Sequence, residues 1–74
     1  MRCVIITPEK TVLDASAEFV AVTLFDGELG IAPSHTPLVG RLGYGELRVS
    51  LSDTVERYYV EGGLVEVVND VVCI

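Results

Sequence analysis

Basic residues are scarce in this sequence, which carries five Lys and Arg against eleven Asp and Glu, for a net charge of −6. Nucleic acids and anionic membrane surfaces attract proteins with the opposite balance of charge. Apolar runs are also short, and none approaches the ~20 residues that a membrane-spanning helix needs. We therefore expect no nucleic-acid partner and no direct membrane insertion. The N-terminal apolar run is too short for a signal peptide, which favours a cytosolic protein.

Histidine and cysteine are equally sparse, since His35 is the only histidine and Cys3 and Cys73 are the only cysteines. A zinc site needs about four ligands of these types. Nucleophilic catalysis needs a nucleophile, a base and an orienting group within reach of one another. No glycine-rich run ends in the Gly-Lys-Ser/Thr pattern that cradles phosphates. The sequence therefore predicts no catalytic residue, no metal site and no cofactor, and it predicts that both cysteines are buried free thiols.

Helical periodicity is absent over any useful length, and short β-prone runs alternate with turn residues along the chain. The clearest alternation predicts that Leu47, Val49 and Leu51 face inward. Strands are predicted at residues 3–6, 11–13, 18–24, 38–39 and onward, 46–51, 55–61, 64–68 and 71–74. Turns or bends are predicted at residues 7–10, 14–16, 43–45, 52–54, 62–63 and 69–70. This spacing indicates one all-β domain over residues 1–74, an antiparallel sandwich or a barrel.

Two of the predicted strands differ in how clearly they assign their faces. Residues 3–6 are uniformly apolar, which predicts burial on both faces. In residues 18–24 the inward set stays open. It is either Phe19, Ala21 and Thr23 or the alternating set that contains Val20, Val22 and Leu24.

Residues 26–38 are the most constrained stretch, because they hold the only histidine and two of the three prolines. Pro33 and Pro37 fix φ and push the residues before them toward extended conformations. Gly27 and Gly30 permit backbone angles that other residues avoid. We therefore predict a rigid, bent loop that presents its side chains to a partner.

The same stretch carries a resemblance to a known family. Residues 27–31 (Gly-Glu-Leu-Gly-Ile), followed by Pro33, His35 and Pro37, resemble the signature of the epsilon subunit of rotary, F-type ATP synthases. Residues 45–49 and 62–67 match two further segments of that family in the same order. The resemblance implies a flattened antiparallel β-sandwich of roughly eight to ten short strands. Family members usually continue into a C-terminal helical hairpin, and we expect none within residues 1–74.

The resemblance also implies a function. Epsilon subunits are non-catalytic parts of the central stalk, or rotor, and couple the gamma subunit to the membrane c-ring during ATP synthesis driven by proton or sodium flow. The chain is then expected as a peripheral component on the cytoplasmic face of the inner (plasma) membrane. Its partners would be the gamma subunit and the polar loops of the c-ring.

A set of partner-binding residues follows from the same resemblance. It places Glu28 against a polar or basic loop of the rotor ring, His35 near the base of gamma, and residues 7–9 in a second gamma-facing turn. The full set is Thr7, Pro8, Glu9, Glu28, Leu29, Gly30, Pro33, His35 and Pro37. At least one of Leu29 and Ile31 is expected in the core. Ser34 stands where the family often has glycine, so it requires either a negative φ or some backbone strain.

Two alternatives remain open on sequence grounds. One is a small β-sandwich module that binds a different partner, which a pronounced basic or aromatic surface would favour. The other is a small β-barrel enzyme, which a deep pocket with convergent polar groups would favour. A domain of 74 residues leaves little room for such a pocket.

Overall fold

Nine β-strands make up the part of the chain described by a computed structural model, which comprises residues 1–7 and 9–74. Pro8, one of the predicted partner-binding residues, lies outside the described residues. The strands are β1 (Arg2–Ile6), β2 (Thr11–Ser16), β3 (Phe19–Leu24), β4 (Gly27–Ile31), β5 (Leu38–Arg41), β6 (Tyr44–Ser50), β7 (Val55–Glu61), β8 (Leu64–Val68) and β9 (Val71–Cys73).

The strands form two sheets, one with the order β2-β1-β9-β8-β5 and the other with the order β4-β3-β6-β7. Their inner faces enclose the core, so the prediction of an all-β sandwich is confirmed. The paired strands run antiparallel except for β1 and β9, which run parallel. Neighbouring parallel strands need a long connection. The connection between β1 and β9 comprises all the residues between Ile6 and Val71, which include the seven other strands.

Apolar side chains from both sheets fill the core, and among the described residues no buried side chain is polar or charged. Leu47 and Val49 of β6 are buried as their alternation predicts, and Leu51 beyond the strand packs against them. In β3 the buried residues are Val20 and Val22, which settles the open choice of inward face. The buried residues are Cys3, Ile5, Ala17, Val20, Val22, Ile31, Leu42, Leu47, Val49, Val65, Val67 and Val72.

The first two strands differ from their predictions. Only Cys3 and Ile5 of β1 are buried, while Ile6 is exposed, so burial on both faces was wrong. Strand β2 runs through residues 14–16, where a turn was predicted. Asp14 pairs with Val4 of β1, and the Arg2 guanidinium on the same strand donates two hydrogen bonds to the Asp14 carboxylate, at 2.8 and 2.7 Å.

Two glycine-containing segments form strands where a loop and a turn were predicted. Residues 27–31 form β4, paired over its full length with β3, where a loop was predicted. Tyr44 and Gly45 begin β6, where a turn was predicted. A Cβ at residue 45 would lie 2.9 Å from Thr23 Oγ1, so this glycine allows a close approach between strands and not a reversal of the chain.

The last predicted turns are confirmed. The chain reverses at residues 52–54, where the Leu51 amide donates to the Thr54 carbonyl at 2.8 Å. Gly62 and Gly63 bend the chain with φ of 89° and 108°. Residues 69–70 form the β8–β9 turn, and both adopt positive φ, as a two-residue hairpin loop requires.

Both cysteines are free thiols, as predicted, although Cys73 is only half-buried. Burial, with a smaller contribution from Cys73, raises the pKa of the Cys3 thiol from 9.0 to about 11. An unfolded chain ionises its thiols near their ordinary pKa of about 8.5. The neutral Cys3 thiol therefore stabilises the fold fully below that pH, and this contribution is lost as pH rises through the folded-state pKa.

We predict that alkaline pH removes the stabilisation by Cys3. The free energy of unfolding of the parent, minus that of Cys3→Ala, should fall between about pH 9 and 11 by about 1.4 kcal/mol per pH unit. Denaturant titrations at several pH values would measure this difference. Cys73→Ala is the control and should retain most of the parent's pH dependence, because Cys73 makes the smaller contribution to the raised pKa of Cys3. A parent-minus-Cys3→Ala difference that stays constant to pH 11 would contradict the prediction.

Candidate partner interface

The connecting segment, residues 32–37, links β4 of one sheet to β5 of the other across one end of the sandwich. It contains Pro33, His35 and Pro37, three of the predicted partner-binding residues. Both prolines are exposed and His35 is half-buried. Because the segment has no strand partners of its own, its conformation depends on local backbone constraints and on contacts with its neighbours.

Asp70 links the connecting segment to the β8–β9 turn of the five-stranded sheet. The Ser34 amide donates a hydrogen bond of 2.8 Å to Asp70 Oδ1, across 36 positions of sequence. Asp70 is held in the β8–β9 turn, where its carbonyl accepts from the Arg2 amide at 3.0 Å. Its second carboxylate oxygen lies 3.8 Å from the Met1 ammonium group. The contact thus joins the segment to β1 and β9 as well as to the turn.

Ser34 adopts a left-handed backbone conformation with φ of 66°. This conformation is sterically unfavourable for residues other than glycine. The sequence analysis offered a negative φ or strain at this position, and the structure shows the strained alternative. The left-handed residue turns the chain so that its amide points at Asp70.

His35 makes a local contact within the segment. Its Nδ1 lies 2.6 Å from the Thr36 carbonyl oxygen. A carbonyl can only accept, so Nδ1 carries the proton and donates, which leaves Nε2 as an acceptor in the neutral ring. No hydroxyl, thiol or carboxylate of the described residues hydrogen-bonds to this ring.

Strand β4 presents a second group of predicted residues along the edge of the four-stranded sheet. Glu28 is exposed opposite Thr23, whereas Leu29 points inward and packs against the core. Ile31 is fully buried, so the expectation that at least one of Leu29 and Ile31 joins the core is met. A Cβ at Gly30 would lie 2.6 Å from Phe19 Cζ, because the Phe19 ring covers this glycine.

The predicted residues lie toward opposite ends of the sandwich. Thr7 closes the β1–β2 turn, where its amide and hydroxyl both donate to the Lys10 carbonyl, and exposed Glu9 lies in the same turn. Glu28 lies near the β3–β4 turn, which bonds through the Phe25 amide to the end of β5. The connecting segment lies at the other end, beside Asp70.

Two residues that shape this surface were missed. Asp70 was read only as a turn residue, and a contact to Ser34 so far along the chain leaves no local signal. Phe19 was assigned to neither face of its strand, although its ring is what allows Gly30 to lie within β4. An aromatic side chain covering a strand glycine is a known stabilising arrangement, but pairing register is needed to recognise it.

Two features are absent from the residues that the structure describes. Within residues 1–7 and 9–74, no three His, Cys, Asp or Glu side chains are grouped closely enough to hold a metal ion. That part also contains no helix of the length and apolarity needed to cross a membrane. The surface thus presents the connecting segment, which Asp70 holds, at one end of the sandwich. Toward the other end it presents exposed Glu28 on β4 and the hydrogen-bonded β1–β2 turn.

Comparison with known proteins identifies the relatives of this chain. Residues 1–74 match the family model described as the beta-sandwich domain of the ATP synthase delta/epsilon chain. The chain is 53% identical over 72 residues to the ATP synthase epsilon chain of Rhodopirellula baltica, covering 97% of this chain and 56% of that protein. It is 36% identical over 63 residues to the sodium ion specific epsilon chain of Propionigenium modestum, covering 85% and 46%. The chain thus spans about half the length of these relatives.

Solved structures share the fold. A chain in the Euglena gracilis mitochondrial ATP synthase (OSCP/F1/c-ring) aligns with a TM-score of 0.90 at 22% identity, covering 96% of this chain and 46% of that one. A chain in the Tetrahymena thermophila mitochondrial ATP synthase (central stalk/c-ring) aligns with a TM-score of 0.82 at 16% identity, covering 97% and 59%. At these identities the likeness establishes the fold alone.

The strain at Ser34 leads to a testable prediction. Ser34→Gly should raise the free energy of unfolding by roughly 0.5 kcal/mol, because relief of the left-handed strain exceeds the entropic cost of glycine. Ser34→Ala keeps the strain and should leave the stability close to that of the parent. Chemical denaturation of the three proteins would measure both effects, and a Ser34→Gly variant less stable than Ser34→Ala would contradict the interpretation.

Proposed function

This chain belongs to the delta/epsilon chain family of ATP synthase, and from that premise we propose that it is a non-catalytic subunit of the central stalk. In this role it couples the gamma subunit to the polar loops of the c-ring, so that ion flow through the membrane turns both together. The complex would hold it as a peripheral component on the cytoplasmic face of the membrane. The coupling ion is left open, because the relatives include a sodium ion specific chain.

One observation carries most of the proposal, the fastening of the connecting segment by Asp70. A subunit that transmits torque needs contact surfaces whose shape does not yield under load. The 2.8 Å hydrogen bond from Ser34 to Asp70 joins the exposed segment to the β8–β9 turn of the other sheet. Pro33 and Pro37 restrict the backbone on either side of it. The segment is therefore pre-organised for binding, which lowers the entropic cost of association.

Glu28 supports the second half of the proposal, the contact with the rotor ring. Its carboxylate is exposed on edge strand β4. No described salt bridge engages it, since the four in the structure involve Asp70, Asp14 and Glu46 as acids. A free carboxylate at a strand edge can accept hydrogen bonds from a polar or basic loop without breaking any contact within the domain.

The domain lends itself to binding and not to catalysis. Its larger groove, about 680 Å³, is open and lined mostly by apolar residues at the edge of β7. His35, the one histidine, makes only its local contact with Thr36. Interface complementarity with a few anchoring side chains would supply the affinity.

Two substitutions test the assignment. Glu28→Ala and His35→Ala should each weaken binding to a subcomplex of matched gamma subunit and c-ring by roughly 2 kcal/mol. Each should change the free energy of unfolding by less than ~0.5 kcal/mol, because within the described residues neither side chain makes a hydrogen bond or salt bridge to a distant part of the chain. Surface-immobilised subcomplex would give the affinities, and chemical denaturation the stabilities.

Glu66→Ala is the matched control, since Glu66 is an exposed acid on β8 of the other sheet. It should leave both binding and stability unchanged. If Glu28→Ala binds like the parent and His35→Ala unfolds the domain, then Glu28 does not contribute to binding and His35 has a structural role. A parent chain that fails to bind the subcomplex at all would favour the alternative of a module for a different partner.

A further inference from the structure

The outer face of the four-stranded sheet carries an ordered group of side chains outside the predicted partner-binding set. Two rows cross β3, β6 and β7 side by side. One row consists of Phe19, Ser50 and Val55, and the next consists of Ala21, Arg48 and Arg57. Directly opposed residues in neighbouring strands point to the same face. The register therefore places two arginines next to an aromatic ring, a hydroxyl and a valine.

The two arginines oppose each other, which is unfavourable for like charges in a sheet. Glu46 forms a salt bridge with each of them, its carboxylate lying 3.6 Å from Arg48 Nε and 3.7 Å from Arg57 Nε, which offsets part of the repulsion. These distances exceed a hydrogen bond to nitrogen. Neither guanidinium hydrogen-bonds to another side chain of the described part, in contrast to Arg2, which donates two hydrogen bonds to Asp14. Their fork-shaped donors are therefore available.

A shallow depression of about 320 Å³ opens beside the arginine pair. The small side chain of Ala21 leaves space between its neighbours in the row. Phe19 forms one side, and its ring is placed by its contact over Gly30. Val55, which is 47% exposed, adds a second apolar surface across the sheet. The depression thus combines two cationic donors with an apolar rim and contains no acid among its lining residues.

We propose that this depression binds a carboxylate side chain on an acidic, apolar-flanked segment of a partner polypeptide. The carboxylate accepts hydrogen bonds from Arg48 and Arg57, and a flanking apolar side chain packs on Phe19 and Val55. Fork-shaped donors suit a planar carboxylate, which can accept two parallel bonds.

Charge and shape both favour a polypeptide over a free anion. An exposed ion pair alone contributes little affinity, so a small anion on this open face would be held weakly. Apolar contact with the rim supplies the further attraction. The rest of the chain is acidic, with a net charge of −6, and would repel an acidic segment that approaches elsewhere. The proposal goes beyond the coupling role and does not depend on it.

Titration of the ¹⁵N-labelled 74-residue chain tests the proposal directly. The probes are acetyl-Leu-Glu-Leu-amide, its uncharged counterpart acetyl-Leu-Gln-Leu-amide, and inorganic phosphate. We expect the Glu peptide to shift the Nε–H signals of Arg48 and Arg57 saturably at low salt. The Gln peptide and phosphate should each bind about tenfold more weakly. High salt should weaken binding of the Glu peptide, because interactions between exposed charges are screened.

Variants separate binding from a structural role. Arg57→Gln should bind the Glu peptide about tenfold more weakly while its melting temperature changes little, because the exposed contact of Arg57 with Glu46 contributes little stability. Val55→Ser should weaken binding of the Glu peptide and leave binding of phosphate unchanged. Arg41→Gln removes an equal charge beside Phe25, away from the depression, and should bind like the parent.

Three outcomes would overturn the proposal. The first is equal affinity for the Glu and Gln peptides, including no binding of either. The second is phosphate binding as tight as the Glu peptide, which would make the depression a simple anion contact. The third is a lowered melting temperature in Arg57→Gln with unchanged peptide affinity, which would make the arginines structural.

Discussion

The structure depends on the closure of two small sheets over one apolar core. Each sheet has a single continuous apolar face, and neither can bury that face except against the other. All buried side chains of the described residues are apolar, so no internal polar network fixes the arrangement. The alternation of strand residues does so instead, because a one-residue slip would move Leu47 and Val49 to the solvent. Outward side chains are not needed to fill the core, which leaves them able to contact partners.

Outward positions carry the residues that we propose bind partners. Glu28 extends from edge strand β4, whose other face holds Ile31 in the core, so this strand both contributes to the core and exposes a proposed contact residue. The connecting segment has no sheet pairing, and Asp70 substitutes for it with one hydrogen bond to Ser34. In the Arg48–Arg57 pair, two like charges stand opposite each other and both contact Glu46.

Sequence reasoning succeeded where local chemistry determines structure. The alternation of β6 and the Asn69–Asp70 turn follow from neighbouring residues, and both were predicted. It failed where a distant residue decides. Gly30 indicates a loop by itself, whereas in β4 it pairs with Ala21 and is covered by the Phe19 ring. The partner-binding residues were taken from a family signature, which carries no geometry, so their distribution toward both ends of the sandwich could not be foreseen.

Site-specific photo-crosslinking in the assembled ATP synthase tests the central claim most directly. A benzoylphenylalanine at Glu28 should crosslink to a c-ring subunit, and one at exposed Thr36 in the connecting segment should crosslink to gamma. The same group at Glu66, on the other sheet, should give neither product. A Glu28 probe that yields no c-ring adduct, or the same products from Glu28 and Glu66, would contradict the coupling role.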